Sequence, residues 1–319
     1  NLSTYEWLAI IKNTTGAVEK WYWINSLRGS NKYVDTTGNA AEATDANVLT
    51  VSGTTFTLGS TLGAKDYLVE FHKAGLSSEK AANEDGSINT TATSTNTTAG
   101  FYISYFTGEA AIRTVGHGLS STPEMFVCKS VGAGSDFICY HSGTGNTHAA
   151  WLNSAANPVD SVTYFNDTDP SPSVVTVGTN TVVNDNSNVN LQWGWHSVDG
   201  YSSFGNYIGN GSSAGDGPMI NMGGSPNSWF TKRTDSADTW QLVDVAVPDN
   251  GFNIVEERLS INADSIASST AAMVWDRLSN GWKVRGNDTG FNASSGTYIY
   301  GAWGGRPMTD GAVNQGRAK

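Results

Sequence analysis

Apolar residues in this chain come in short runs, with aromatic and β-branched side chains set between Gly, Asn, Ser and Asp. Trp7-Leu-Ala-Ile-Ile-Lys12, Pro123-Glu-Met-Phe-Val-Cys-Lys129 and Val174-Val-Thr-Val-Gly178 are strand-length runs bounded by turn residues. In places the residues alternate between two sides, Phe137 and Cys139 against Ile138 and Tyr140, and both sides are apolar. No long stretch carries a helical apolar period, so the pattern predicts an all-β chain with almost no helix.

The runs also recur. Thr55-Phe-Thr-Leu-Gly59, a polar loop and Tyr67-Leu-Val-Glu-Phe-His72 form one closing pair of strands. Val174 to Gly178 and Val189-Asn-Leu-Gln-Trp-Gly-Trp195 form a second, and Gly281-Trp-Lys-Val-Arg285 and Tyr298-Ile-Tyr-Gly-Ala-Trp303 a third. Upstream, Pro123 to Lys129 aligns with Pro226-Asn-Ser-Trp-Phe-Thr-Lys232 without a gap, and Leu152-Asn153 with Ile261-Asn262. Trp7 to Lys12 and Lys20 to Ile24 fill the corresponding places in the first copy. That copy lacks a counterpart of the strand Gly100 to Gly108, and the chain starts without Met, so a longer parent protein with more repeats is expected.

The copies set the boundaries: a truncated first β repeat at 1–75, a Ser/Thr/Asn-rich linker at 76–98, a second repeat at 99–199, a third at 200–306 and a polar tail at 307–319. Turns about every ten residues in the complete copies predict tandem two-sheet β-sandwiches of jelly-roll or lectin-like type. A chain that copies one β unit is more often a scaffold or a binding rod than an enzyme with one unique pocket.

Composition narrows the function. Charged residues are 15% of the chain, the net charge is −11, and no Lys/Arg cluster marks a nucleic-acid surface. No apolar run approaches the roughly 18 residues that cross a bilayer, so no membrane insertion is expected. Few charges and many small polar residues suit an extracellular particle. The two cysteines, Cys128 and Cys139, lie on consecutive predicted strands and read as buried free thiols rather than a disulfide framework.

Candidate chemistry is sparse. His117, in Val115-Gly-His-Gly-Leu119, has no second ligand at metal spacing and reads as a turn residue. Asn184-Asp-Asn-Ser-Asn188 places oxygens at alternate positions but lacks the glycine and distal glutamate of a calcium loop. Asp167 and Asp169 precede Pro170, as ordinary turn residues do, and read as no catalytic pair. No nucleophile elbow, phosphate loop or dinucleotide fingerprint occurs, so no catalytic residue, metal or cofactor is expected. Trp193, Trp195, Tyr300 and Trp303 are the candidates for stacking on sugar rings, against the plainer reading that aromatics recurring at one strand position fill a core.

Gly100-Phe, Tyr105-Phe-Thr-Gly108, Val115 to Leu119 and Pro123 to Lys129, followed by Tyr140-His141-Ser142, together resemble a repeat domain of tailed-bacteriophage virion proteins, common in marine phages. Gly200-Tyr-Ser-Ser-Phe-Gly-Asn-Tyr-Ile-Gly-Asn-Gly211 with Lys232-Arg-Thr-Asp235 fits the same pattern, and the similarity covers all but the linker and the tail. The resemblance implies a non-enzymatic virion structural protein, part of a tail fibre or appendage that contacts the host. It implies assembly with copies of itself as a homo-oligomer, with a trimer expected, and with other virion proteins, and contact with a host cell-surface glycan. The alternative is a capsid decoration protein or filament subunit without a ligand.

Overall fold

The structure is a computed structural model that describes residues 2–132, 134–247 and 253–304. The first unit contributes strands β1 (Tyr5–Asn13), β2 (Tyr22–Asn25), β3 (Lys32–Tyr33), β4 (Ala43–Thr44), β5 (Leu49–Ser52), β6 (Thr55–Leu58) and β7 (Tyr67–Leu76). The second runs through β8 (Ala92–Asn96), β9 (Phe101–Thr107), β10 (Arg113–Gly116), β11 (Met125–Ser130), β12 (Ile138–His141), β13 (His148–Trp151) and β14 (Val159–Asp160), then the one-turn helix α1 (Val162–Phe165), β15 (Val174–Val177) and β16 (Val189–Trp195). The third holds β17 (Ser202–Ile208), β18 (Met219–Asn221), β19 (Pro226–Arg233), β20 (Gln241–Asp244), β21 (Leu259–Ser260), β22 (Trp275–Leu278) and β23 (Gly281–Val284), then the one-turn helix α2 (Thr289–Asn292) and β24 (Thr297–Gly304). The chain is all-β, as its pattern predicts.

One sheet order recurs. The second unit runs β13-β12-β11-β16-β9, extended by β14 and β8 at its edges, and the third runs β21-β20-β19-β24-β17. The first is the shorter β2-β1-β7. The registers agree as well: Ile10 lies opposite Glu70, Val127 opposite Trp193, and Phe230 opposite Gly301. A small second layer covers each large sheet: the β5–β6 hairpin, the β10–β15 pair, and β18-β23-β22.

Both faces of the large sheets are buried, which is why the alternating residues are apolar on both sides. Phe126, Cys128, Ile138 and Tyr140 pack outward beneath β10 and β15. Met125, Val127, Phe137 and Cys139 pack inward, into one cluster shared with Leu8 and Ile10 of the first unit and Phe230 and Leu242 of the third. This is a correction to independent sandwiches strung in tandem: the largest core belongs to all three units at once. Cys128 and Cys139 sit on opposite faces of paired strands, since Cys128 lies opposite Ile138 and Val127 opposite Cys139; both are free thiols.

The expected linker at 76–98 also needs correcting. Ala92–Asn96 pairs with β9 along its whole length, and Thr93 and Ser94 are buried. Its Thr/Ser composition serves an edge strand, since β-branched Thr fits a pleated surface without a large apolar side chain. The polar tail 307–319 lies outside the described residues.

The turn after the sixth strand of the first unit shows how closely the copies repeat. The amides of Gly59, Gly178 and Gly286 bond to the carbonyls of Val48, Tyr164 and Val274. A Cβ on these glycines would lie 2.0, 2.1 and 1.8 Å from the carbonyl oxygens of Asn47, Thr163 and Ala272. Only glycine allows that approach. Gly286 is therefore the true third member, one residue beyond the Arg285 that the sequence comparison aligned.

Candidate functional site

Of the aromatics proposed for sugar stacking, Trp193 and Trp195 lie in the shared core, and the other two pack against cores as well. Trp193 is 0% and Trp195 3% exposed, and Tyr300, at 8%, packs under the outer layer of the third unit. Trp303 packs against the shared core from its rim. Trp195 and Trp303 occupy the same strand position as His72, and the three rings form a triangle with centroids 5.1 to 5.9 Å apart. They recur because the three closing strands meet at one axis. Trp195 and Trp303 are engaged in that triangle, Trp193 is fully buried in the shared core and Tyr300 is buried under the outer layer, so the glycan assignment of these four residues is corrected.

Further along the axis, Trp21, Phe137 and Trp240 stand at matching places and carry the contacts that close the ring of units. The Trp21 indole N–H donates to the carbonyls of Ser260 and Ala263 in the third unit, both at 3.0 Å. The Trp240 indole N–H donates to the Trp151 carbonyl of the second unit at 2.8 Å. The second unit meets the first through the Glu42 amide on the Val131 carbonyl and the Gly134 amide on the Asn39 carbonyl, each 2.9 Å.

Three lysines at one repeat position, Lys12, Lys129 and Lys232, are each 0% exposed. Burial pulls all three down to about 8. Their ammonium groups donate to backbone carbonyls, and two of them cross a seam: Lys12 to Asp264 at 2.9 Å and Lys232 to Ala155 at 3.2 Å. Lys129 bonds within its own unit to Ser135 at 2.5 Å. Buried ammonium groups are tolerated only with such acceptors.

The histidines are structural as well. His117 Nδ1 accepts the Leu119 amide at 3.1 Å, so Nε2 carries the hydrogen and donates to the Ser171 carbonyl, also at 3.1 Å. His141 repeats the arrangement, taking the Gly143 amide and donating across the seam to the Tyr300 carbonyl, both at 3.0 Å. Burial holds His141 down at about 4, so it is neutral at physiological pH. Asn184 does not coordinate: its amide bonds to the Ala111 and Gly178 carbonyls, and its oxygen accepts the Glu109 amide. Asn292 makes the corresponding set to Ser212, Gly286 and Asn210. Asn166 and Asp167 are both left-handed residues of the turn after α1. Among the described residues no group of three or more His, Cys, Asp or Glu is placed to hold a metal ion.

Two places depart from the repeat. The first is an acidic pair at the seam of the first and third units. Glu70 stands where the other copies have Trp193 and Gly301, and Asp244, 6% exposed, stands where the second copy has His141. Burial, then the charge of Glu70 and a hydrogen bond to it, push Asp244 up to about 8, so it is a neutral acid at pH 7. Burial also works to raise Glu70, but the nearby His72 and hydrogen bonds from Asp244 and Ser228 outweigh it and hold Glu70 below the ordinary carboxylate range. Ser228 Oγ donates to Glu70 at 2.5 Å, and His72 Nε2 lies 3.8 Å from its carboxylate. The cavity beside the pair measures about 30 Å³, room for a water or two and no substrate. A carboxylate at an apolar repeat position is the sequence signal that marks this pair, and the copies must be aligned to see it.

The second is a surface cleft of about 510 Å³ between the second and third units. Gly143, Thr144, His148 and Asn157 form one wall, and Asn206 to Ile208 with Asp235 and Tyr298 form the other. Gly143 sets the closeness of the walls, because a Cβ there would lie 2.9 Å from Ile299 and 3.2 Å from Asn206. None of the stacking candidates lines it. No sequence feature singled it out, since its residues come from short turns and strand ends of two units.

No curated protein and no solved structure matches the chain. Residues 6–307 match the family DUF7483, described as a domain of unknown function. That match covers nearly all of the chain and takes in all three large sheets, so this protein belongs to the DUF7483 family.

Proposed function

We propose that this chain is a structural component of a bacteriophage virion, part of a tail fibre or related appendage, acting by contact with the host surface rather than by catalysis. The observation that carries this reading is the closed core. One chain wraps three sheets around a single apolar axis and ties the seams with buried N–H and ammonium donors. Such a body has little for a protease to open, which suits an exposed particle. Asp244, His141, Lys12 and Lys232 are shifted by burial at seams between units, and Lys129 by burial inside its own unit, so these shifts follow from packing. The resemblance of the repeat to virion domains supports the same assignment.

The closed core favours one form of this proposal. A fibre built as an intertwined trimer uses neighbouring chains to cover its inner faces. Here each inner face is covered within one chain, which supports a compact terminal or decorating module, and any trimer contact lies on the outer surface.

Two measurements test the reading. Native mass by light scattering, repeated in mild detergent, should give the monomer of 33.8 kDa; a detergent-resistant trimer restores the intertwined fibre. Antibodies against the chain should label particles recovered from the producing strain. A chain found only in the soluble fraction overturns the virion role.

A further inference from the structure

We infer that the open edge of the first unit binds an extended strand from another polypeptide, one patterned like the opening strands β9 and β17 of this chain. The inference does not depend on the virion role. Two of the three closing strands are covered on both edges. β16 lies between β11 and β9, and β24 lies between β19 and β17, each paired along the whole length of its opening strand. β7 pairs with β1 alone, and among the described residues no strand lies along its other edge.

The main chain of that edge is turned outward. The Thr14 amide donates to the Asp66 carbonyl at 2.9 Å, and the register steps from there through Leu68, Glu70 and His72. Residues of an antiparallel strand turn both main-chain groups to one side, and the side alternates. Leu68, Glu70 and His72 therefore bond to β1, while Val69 and Phe71 point N–H and C=O away from it. The Lys73 carbonyl fits the alternation, since it also faces away and accepts the Asn96 side-chain amide at 3.1 Å. Among the described residues none bonds to the main chain of Val69 or Phe71 on that side. At the same places Gln192 and Gly194 lie opposite Ser104 and Tyr102 of β9, and Tyr300 and Ala302 lie opposite Gly205 and Ser203 of β17. No proline or bulge between Tyr67 and His72 blunts the edge.

The layer above is open as well. β10 pairs with β15 and β18 with β23, each following directly on an opening strand, whereas β6 pairs with β5 alone. β9 and β10 put Phe106 and Val115 into the outer cluster of the second unit, and β17 and β18 bring Tyr207 and Ile220 to that of the third. The outer cluster of the first unit has no such cover. Phe56, whose ring lies 5.2 Å from that of Phe71, is left 43% exposed. The edge thus offers main-chain groups that any extended strand can meet, and an apolar slot beside Phe56 and Phe71 that selects its side chains. A strand docked there continues an interface already established twice within the chain. It extends one sheet and adds no fourth unit to the ring.

The probe is a fluorescent peptide with the sequence Gly200 to Gly209, added to the full chain and followed by anisotropy, with hydrogen exchange read over residues 67–73. Binding should be saturable, and the Val69 and Phe71 amides should exchange at least about tenfold more slowly in the complex. In β17 the amides of Ser203 and Gly205 face the closing strand. N-methylation of either in the peptide should weaken binding about tenfold, the loss of one hydrogen bond, and N-methylation of Ser202 or Phe204 should leave it unchanged. Absence of saturable binding, equal loss from the two methylation patterns, or protection appearing at β24 in place of β7 overturns the inference. Full protection of Val69 and Phe71 without peptide also overturns it, because the chain or a second copy then covers the edge.

Discussion

Asp244→Asn should leave the protein nearly unchanged at about pH 4 and make it progressively more stable than wild type as pH rises towards about 8. Asp244 is buried, its oxygen accepts the Ala246 amide at 2.6 Å, and the Glu70 carboxylate beside it is the charge that its own ionisation meets. Ser228, His72 and Tyr201 face Glu70, and Arg277 lies close enough to feel the charge on Asp244. A carboxyl whose folded pKa lies above its unfolded one stabilises the fold fully below the unfolded value, about 3.9, and that contribution drains away as pH rises towards the folded value, here about 8. The slope is about 1.4 kcal/mol per pH unit, so wild type loses about 2–3 kcal/mol between about pH 6 and about pH 9 that the variant keeps. Asparagine preserves both bonds, its NH₂ donating to Glu70 and its oxygen accepting from Ala246. The buried lysines, held down to about 8, gain stability above that pH, but they do so equally in both proteins, and the difference isolates Asp244. Urea midpoints of the two proteins across this range are the assay. A gap between them that does not widen with pH refutes the protonated Asp244–Glu70 pair.

Three other outcomes follow from the same geometry. Trp195→Ala removes one corner of the axial triangle and should cost about 3–5 kcal/mol, with a single transition retained in denaturant, because the core is common to the three units; separate transitions for separate units would contradict the shared core. Asn184→Ala and Asn292→Ala each strand buried carbonyls of equivalent turns, and calorimetry should show similar losses of about 1–3 kcal/mol. Cys128 and Cys139 are buried, and burial raises both thiols, Cys128 to about 12, so a thiol reagent should modify neither until denaturant is added; rapid labelling of the native protein sinks that placement.

The strands, the absence of long helices and the three copies were legible in the sequence, because period-two burial and tight glycine turns are local signals. The alternation of Phe137 and Cys139 with Ile138 and Tyr140 gave the two faces correctly. What the inward face meets was not legible, since it meets strands more than a hundred residues away. The recurring Trp of the closing strands was therefore open to two readings, and the one that put it on the surface was wrong. The linker was misread because an edge strand of Thr and Ser has the composition of a loop. The cleft was invisible because adjacency across a seam leaves no pattern in either unit. The Glu70–Asp244 pair left a trace only in Glu70, a carboxylate where the other copies have Trp193 and Gly301.

The closing of the ring also limits how such a protein can grow. In an open stack the last repeat leaves a face for another, and length is free to vary. Here the seam from Trp21 to Ser260 joins the first unit to the third, so no end remains for a fourth copy to dock on. Adding repeats along a parent chain would start a second closed body, and change within one body comes by substitution at a single seam, as Glu70 and Asp244 illustrate.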